Sequence, residues 1–495
     1  MEKFNEAMEW LNGMVWGSPE LVLSPMMILL LGAGLFLTVG LRFISVTKIG
    51  YGFRQLFKKR NGDAEEGDVS PFAALMTALS STVGTGNIAG VAAAIAIGGP
   101  GAVFWMWVTA ILGTATKFGE GVLAVRYREI DANGNRVGGP MYYIKNGLGP
   151  KWLWLAGAFA IFGMIGALST GNAVQANSIA DALKSAYNFD PRIVAIILSL
   201  LVAGVIFGGI KRIGAVASKL VPFMAVIYIV AALIVIAANV GQVPAAFGMI
   251  FKGAFGMQGA GTGITIGLMM LAMQKGVARG LFSNEAGQGS APIAHAAAQN
   301  NDPVNQGIIA MLGTIIDTLI ICTITALVIL TSGVMTADCL ASPAILEMLQ
   351  SGSTPAGCEI GVPLTAQAFD SVLVGFGEHI VTFCLCIFAF TTIIGWSYYG
   401  ERCAAFMFKE RSIPVFRVFW IIAVFASTYA LSFETGGDNM VVATFWLIAD
   451  SLTGLMAAPN LIALILLSPV VFKLARDYFD KEKIANDGLI DQDDM

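Results

Sequence analysis

Charge is what this sequence has least of. Of its 495 residues, 13% are Asp, Glu, Lys or Arg, about half the roughly 25% usual in soluble domains. Hydrophobic residues make up 56% and the mean hydropathy is +0.74, so a soluble globule is excluded. Histidine is nearly absent: His295 and His379 are too few for a His-rich metal centre. The six cysteines form no CxxC pair; Cys322, Cys384, Cys386 and Cys403 lie in or beside apolar runs and read as small core residues. Cys339 and Cys358 share one polar loop and read either as a disulfide or as two free thiols. No HExxH or GxSxG appears and no GxxxxGK[ST], which argues against an intramembrane hydrolase and a primary pump. There is no long basic tract, and 29 basic against 33 acidic residues leave a net charge of −4, so nucleic acid is not a partner. Residues 1–20 lack the basic segment that opens a cleavable signal peptide and are expected to stay attached.

What the chain has in abundance is long apolar runs. At about 20 residues per spanning helix plus connections, the length allows about eleven spans. They read as 21–41, 69–98, 100–125, 152–187, 192–208, 216–239, 261–298 (interrupted), 306–332, 379–408, 414–432 and 440–468. Alternate loops are basic, beginning with Arg42, Lys48, Arg54, Lys58, Lys59 and Arg60. Lys/Arg excess marks the cytoplasmic side, which puts the N-terminus outside and the C-terminus inside. The longest outside loop is 333–378, whose segment 365–378 reads as a short amphipathic helix that caps the protein and could gate access.

Two polar, glycine-rich stretches interrupt apolar runs: SSTVGTGNIAG (80–90) and GLFSNEAGQGSAP (280–292). A membrane helix can be broken only where its freed backbone groups line a cavity or are buried in protein. The two stretches fall in the first and sixth of the ten spans after the first, the positions that two inverted five-helix halves would place around a midplane site. N–H groups at the start of the half-helix after the first break, with Thr85 and Gly86 as donors, suit a carboxylate. Carbonyls freed on the other side, with the side chains of Thr82 and Asn87, suit a hard cation such as Na⁺.

The runs GGPGAVFWMWVTAILG (98–113), TVGTGNIAG before it, KGVARGLFSNEAGQGSAPIAHAA (275–297), AVQANSIA (173–180) and TTIIGWSYYGER (391–402) closely resemble the alanine or glycine:cation symporter family. The resemblance covers essentially the whole membrane core. It implies an all-α integral membrane protein of the leucine-transporter type, a 5+5 inverted repeat preceded by one extra helix. The chain then divides into a tail, first helix and basic loop (1–68), two five-helix halves (69–240 and 241–470) and a cytoplasmic tail (471–495). By the same resemblance, S-T-V-G-T-G-N lines up with the N-A-V-G-L-G-N of neurotransmitter-type sodium symporters. Thr85 and Gly86, with Gly84 and Thr82, would hold the substrate. The carbonyls of Ser80 and Val83 with the hydroxyls of Thr391 and Thr392 would bind Na⁺, and Asn87 with Thr82 match a second sodium site.

Thr392 and Trp396 share a helix face, which the resemblance places on the pocket, where the indole would limit substrate size. Gln175 and Asn177 cannot share a face, and Gln175 is favoured. Ser283 and Asn284 suit a substrate ammonium, and Phe282 either closes the pocket or packs helices. Among ionisable residues within spans, Glu285 reads as an ion-pair partner of Arg279 or as a transport residue, Lys117 and Glu120 as a pair or as snorkelling groups, and Asp317 and Asp450 as structural carboxyls or proton relays. The expected activity is secondary symport of alanine or glycine with Na⁺ across a bacterial or archaeal cytoplasmic membrane, with the lipid bilayer as its surroundings and no organic cofactor. The alternative is proton-coupled or passive channel-like movement of another small zwitterion.

Overall fold

The structure, a computed structural model, describes residues 2–17, 24–58, 67–257, 262–335, 359–433 and 440–486. Helix dominates, as it must where the surroundings offer no hydrogen bonds and each segment has to satisfy its own backbone. In chain order the principal helices are α1 (Glu2–Trp16), α2 (Pro25–Gly40), α3 (Pro71–Thr82), α4 (Val91–Gly98), α5 (Gly101–Arg126), α6 (Leu153–Gly166), α7 (Val174–Tyr187), α8 (Pro191–Ile206) and α9 (Gly209–Ala238). There follow α10 (Val243–Ala254), α11 (Thr262–Asn284), α12 (Ala291–His295), α13 (Pro303–Thr314), α14 (Thr323–Thr331), α15 (Val362–Asp370), α16 (Gly377–Phe408), α17 (Ile413–Ala430) and α18 (Met440–Asn486). A two-stranded hairpin, β1 (Glu129–Ile130) with β2 (Arg136–Val137), follows α5.

Among the described residues, seven helices are long and apolar enough to cross a bilayer, an eighth span is the pair Pro71–Thr82 and Gly86–Gly98 bent by 53°, and Pro25–Gly40 and Pro191–Ile206 are shorter apolar helices. Burial separates centre from periphery. The apolar window of α5 is 83% buried and that of α9 only 33%, so α5 lies inside the bundle and α9 faces its surroundings. Helix starts follow local chemistry: Ser24, Ser70, Asp190 and Asp302 each accept a backbone N–H from the first turn, with proline next in sequence.

Several expectations about extent change. The interrupted span expected over 261–298 is helical over Thr262–Asn284 and then only over Ala291–His295. The reason is local, since Glu285, Gly287 and Gly289 all take left-handed backbone angles (φ 55°, 90° and 84°) that a right-handed helix cannot continue through. The last span does not stop at 468; α18 runs on to Asn486 through Pro459 and Pro469. Residues 2–16, expected as part of a tail, form α1, which docks on α18 through the indole N–H of Trp16 and the carbonyl of Asp450 at 2.9 Å. The segment 365–378 is helical one turn earlier, over Val362–Asp370, and the Thr365 hydroxyl donates to the carbonyl of Ile88 at 3.1 Å. Cys339 and Cys358 lie outside the described residues.

Candidate functional site

The first break is built by side chains that replace missing backbone partners. In an unbroken helix the N–H groups of Gly84 and Thr85 would go to the carbonyls of Ser80 and Ser81. Here the Gly84 N–H donates to Asn87 Oδ1 at 2.9 Å and the Thr85 N–H to Gln175 Oε1 at 3.4 Å, so two amide side chains take over. Gln175 Nε2 in turn donates to Thr85 Oγ1 (3.1 Å) and to the carbonyl of Thr170 (3.2 Å). From α16, Thr392 Oγ1 reaches the Val83 carbonyl at 3.4 Å and the Phe388 carbonyl at 3.0 Å. Only glycine fits at 84, because a Cβ there would stand 2.6 Å from Thr392 Oγ1.

Facing Gly86 is the end of α11, where a Cβ on Gly86 would lie 3.2 Å from Phe282 Cδ1 and 3.4 Å from Ser283 Cα. The first break therefore packs closely against the last turn of α11, just ahead of the second. Asn87 joins them. Its Nδ2 donates to Ser283 Oγ (3.1 Å) and to Asp317 Oδ1 (2.7 Å), while Ser283 Oγ donates to Asp317 Oδ2 at 2.6 Å. Asn284 Nδ2 donates to Thr318 Oγ1 (3.1 Å), and its Oδ1 accepts the Ala286 N–H at 2.9 Å.

The structure thus brings Val83, Gly84, Thr85, Gly86, Asn87, Gln175, Phe282, Ser283 and Thr392 to one junction. Others are placed differently. Thr391 turns its hydroxyl to the Phe388 carbonyl (2.9 Å) and toward Met224 Sδ (3.7 Å), Ser80 to the Thr77 carbonyl, and Thr82 to the Leu79 carbonyl. Trp396 is buried one turn beyond Thr392, with Gly171 flush against its Cβ, Tyr399 edge-on to its ring, and the Glu285 carboxylate beside its indole. Asn177 is buried and its Nδ2 has no hydrogen-bond partner among the described residues.

The charged residues correct the sequence expectations. Glu285 does not pair with Arg279. It accepts a hydrogen bond from Ser290, while Arg279 forms a two-pronged ion pair with Asp450 of α18 at 3.2 and 3.0 Å. The Arg279 guanidinium also lies over the Phe282 ring, 5.5 Å from its centroid. Neither Lys117 nor Glu120 snorkels; both are buried and no ion pair joins them. Glu120 Oε1 instead accepts three hydrogen bonds, from the Gly287 and Gly289 N–H groups (3.1 Å each) and from Asn460 Nδ2 (2.7 Å). Sequence reasoning missed this role, because Lys117 one turn away offered Glu120 a nearer partner and nothing local pointed to the N–H groups of a segment 167 residues on.

At the end of the bundle that carries the hairpin, Asp131 Oδ2 pairs with Arg402 at 3.1 Å, Arg402 with Glu401 at 2.8 Å, and Glu401 with Arg417 at 2.6 Å. Asp68 accepts the Arg136 N–H at 2.8 Å, and Val69 is bridged to Ala298. Burial works against the charge on Asp131, but the Asn135 N–H and amide and the Arg402 guanidinium outweigh it and hold the carboxyl below its ordinary range. At Asp68 burial prevails and the carboxyl is raised.

A profile described as the sodium:alanine symporter family matches residues 1–492. The sodium/alanine symporter AgcS of Methanococcus maripaludis is 45% identical over 462 residues, 93% of this chain and 94% of that protein. The amino-acid carrier protein AlsT of Bacillus subtilis is 39% identical over 459 residues, 92% of this chain and 89% of that one. Among solved structures, MhsT in complex with L-phenylalanine superposes with a TM-score of 0.53 at 12% identity, over 83% of this chain and 99% of that one. At that identity the likeness speaks for the fold alone.

Proposed function

The chain belongs to the sodium:alanine symporter family, and from that premise we propose that it carries alanine or glycine into the cell with Na⁺ by alternating access. Sodium-coupled amino-acid symport is the activity of the family; the substrate, the direction and the residues are our reading. The observation that carries it is the Gln175 amide on the first break. Its Oε1 accepts the Thr85 N–H, the bond that a carboxylate oxygen of an arriving amino acid would take over. Thr85 and Gly86, with Gly84 and Thr82 beside them, hold the substrate carboxylate; Ser283 and Asn284 offer oxygens to its ammonium; Phe282 closes the pocket, and Trp396 with Thr392 limits the side chain.

The Na⁺ shell draws on the carbonyls of Ser80 and Val83 and on the hydroxyls of Thr391 and Thr392, all hard oxygen donors. The Thr392–Val83 contact supports that assignment. The Asp317 carboxylate, in contact with Asn87 and Ser283, favours a second coupled cation there, Na⁺ or H⁺. The Arg279–Asp450 pair over Phe282 shuts the pocket toward the N-terminal side of α11, which the Lys/Arg asymmetry makes the outside. The hairpin and the Arg402 network shut the opposite, cytoplasmic side. The halves 69–240 and 241–470 move about the two breaks, flanked by 1–68 and 471–495.

Purified protein in proteoliposomes should accumulate radiolabelled alanine and glycine against a gradient only when Na⁺ is higher outside. Equal accumulation with a pH gradient alone would favour the proton-coupled reading, and uptake that merely equilibrates would sink symport.

A further inference from the structure

One surface feature belongs to neither break: a groove of about 440 Å³ between α7, α8, α9 and α16. Ile193, Ile197 and Leu201 of α8 line it and are each more than half exposed. From Ile193 to Leu201, and on α16 from Thr382 to Phe390, the lining runs for eight residues, about 12 Å at 1.5 Å per residue. That is most of the ~15 Å one leaflet contributes to a ~30 Å hydrocarbon core. Water has no partners at such a wall, and an empty groove would leave the lining atoms without neighbours on one side.

Polarity appears at one end only. There Tyr187 stacks on His379, ring centroids 5.3 Å apart and 12° from parallel, an amphipathic pair of the kind found at the membrane surface. Lys184 stands one turn before Tyr187, and Arg192 adjoins Ile193. Neither makes an ion pair among the described residues.

We propose that the groove seats one acyl chain of a phospholipid, with its phosphate held between Lys184 and Arg192. Lys184, with Asp181 a turn before it, and Arg192, beside Asp190, offer donors to a phosphate at the polar end of a leaflet-deep apolar groove that matches an acyl tail in polarity and length. The seat lies behind the site. Thr382, Phe383, Cys386, Ile387 and Phe390 face the groove, while Thr392 on the same helix contacts the first break, so an acyl chain there braces the back of α16.

The test is photolabelling of the full chain in vesicles of phosphatidylethanolamine and phosphatidylglycerol, with trace phosphatidylglycerol carrying a diazirine on its acyl chain. Crosslinks should concentrate on residues 193–201 and 382–390, about fivefold over those on Val226 and Val230, the exposed apolar face of α9 outside the groove. Ile197→Trp, a change on the exposed rim, should lower groove labelling to the Val226–Val230 level without altering the gel-filtration profile. The double change Lys184→Gln, Arg192→Gln should lower it about threefold with the phosphatidylglycerol probe and by less with a phosphatidylethanolamine probe, whose own ammonium already offsets the charge of its phosphate. Equal labelling of both faces, unchanged by Ile197→Trp, would overturn the proposal. So would disulfide-linked dimers of an Ile197→Cys variant with the groove unlabelled, since a second copy would then fill it.

Discussion

The two interrupted segments solve the same problem in opposite ways. At 83–86 the orphaned N–H groups are taken by neutral amides, Asn87 and Gln175. At 285–289 they are taken by one buried carboxylate oxygen of Glu120, which also binds Asn460. A neutral amide gives up an N–H at the modest net cost of one ordinary hydrogen bond, about 1 kcal/mol. A buried carboxyl oxygen with three donors does not, because every donor would be left unpaired. On the proposed reading the first break exchanges partners, and the second keeps its shape while the first does so.

The largest test removes the anchor. Glu120→Ala should cost about 3–5 kcal/mol, since three buried donors lose their acceptor at about 1–3 kcal/mol each, less what they regain by relaxing, and yield little folded protein, whereas Glu120→Gln should fold with a lower melting temperature. A wild-type melting temperature for Glu120→Ala in detergent would erase the distinction between the breaks. Next, Gly84→Ala places a methyl 2.6 Å from Thr392 Oγ1 and should abolish sodium-driven uptake at normal expression. Gly289→Ala, with φ +84° and a Cβ 2.6 Å from Pro140 Cγ, should instead lose about 1–3 kcal/mol of stability. If both variants lose the same property, the division of labour fails.

Trp396 lies one turn beyond Thr392, against Gly171 on one side and Glu285 on the other. Trp396→Ala should relax rejection of larger neutral amino acids by about 1–3 kcal/mol per methylene-sized change, read by competition from glycine through leucine. An unmoved size cut-off in a transporting variant would pass the role to Phe282. The smallest effect concerns the hairpin end. Because the Asp131 carboxyl titrates lower folded than unfolded, its contribution is fully present above the ordinary value near ~3.9 and is lost as pH falls through the folded value. The protection factors of residues 129–137 against hydrogen exchange should fall below about pH 4 in wild type and be low at all pH values in Asp131→Asn. Identical pH profiles in the two would remove Asp131 from the lock.

Much of this was legible in the order of residues. Glycines beside Thr, Asn and Ser inside apolar runs marked both breaks, since a spanning helix can be interrupted only where its freed backbone groups are buried or line a cavity, and the i,i+4 spacing put Thr392 and Trp396 on one face. What misled was proximity along the chain. Arg279 is six residues from Glu285 but pairs with Asp450, 171 residues away, because the left-handed turn at Glu285 swings that carboxylate off the α11 axis. Lys117 and Glu120, three apart, form no ion pair because Glu120 turns its Oε1 to the N–H groups of Gly287 and Gly289 across the bundle.

By itself the sequence determined the material and the periodicity: how many apolar runs there are, where helices must fail, and which oxygens become free when they do. These are properties of a segment and its solvent, and hydrocarbon enforces them segment by segment. Only the tertiary structure decided which side chain serves each freed group: Gln175 for Thr85, Glu120 for Gly287 and Gly289, Asp317 for Asn87 and Ser283. Those pairings join helices 34 to 230 residues apart in the chain, and packing of whole faces sets them, which no local spacing encodes.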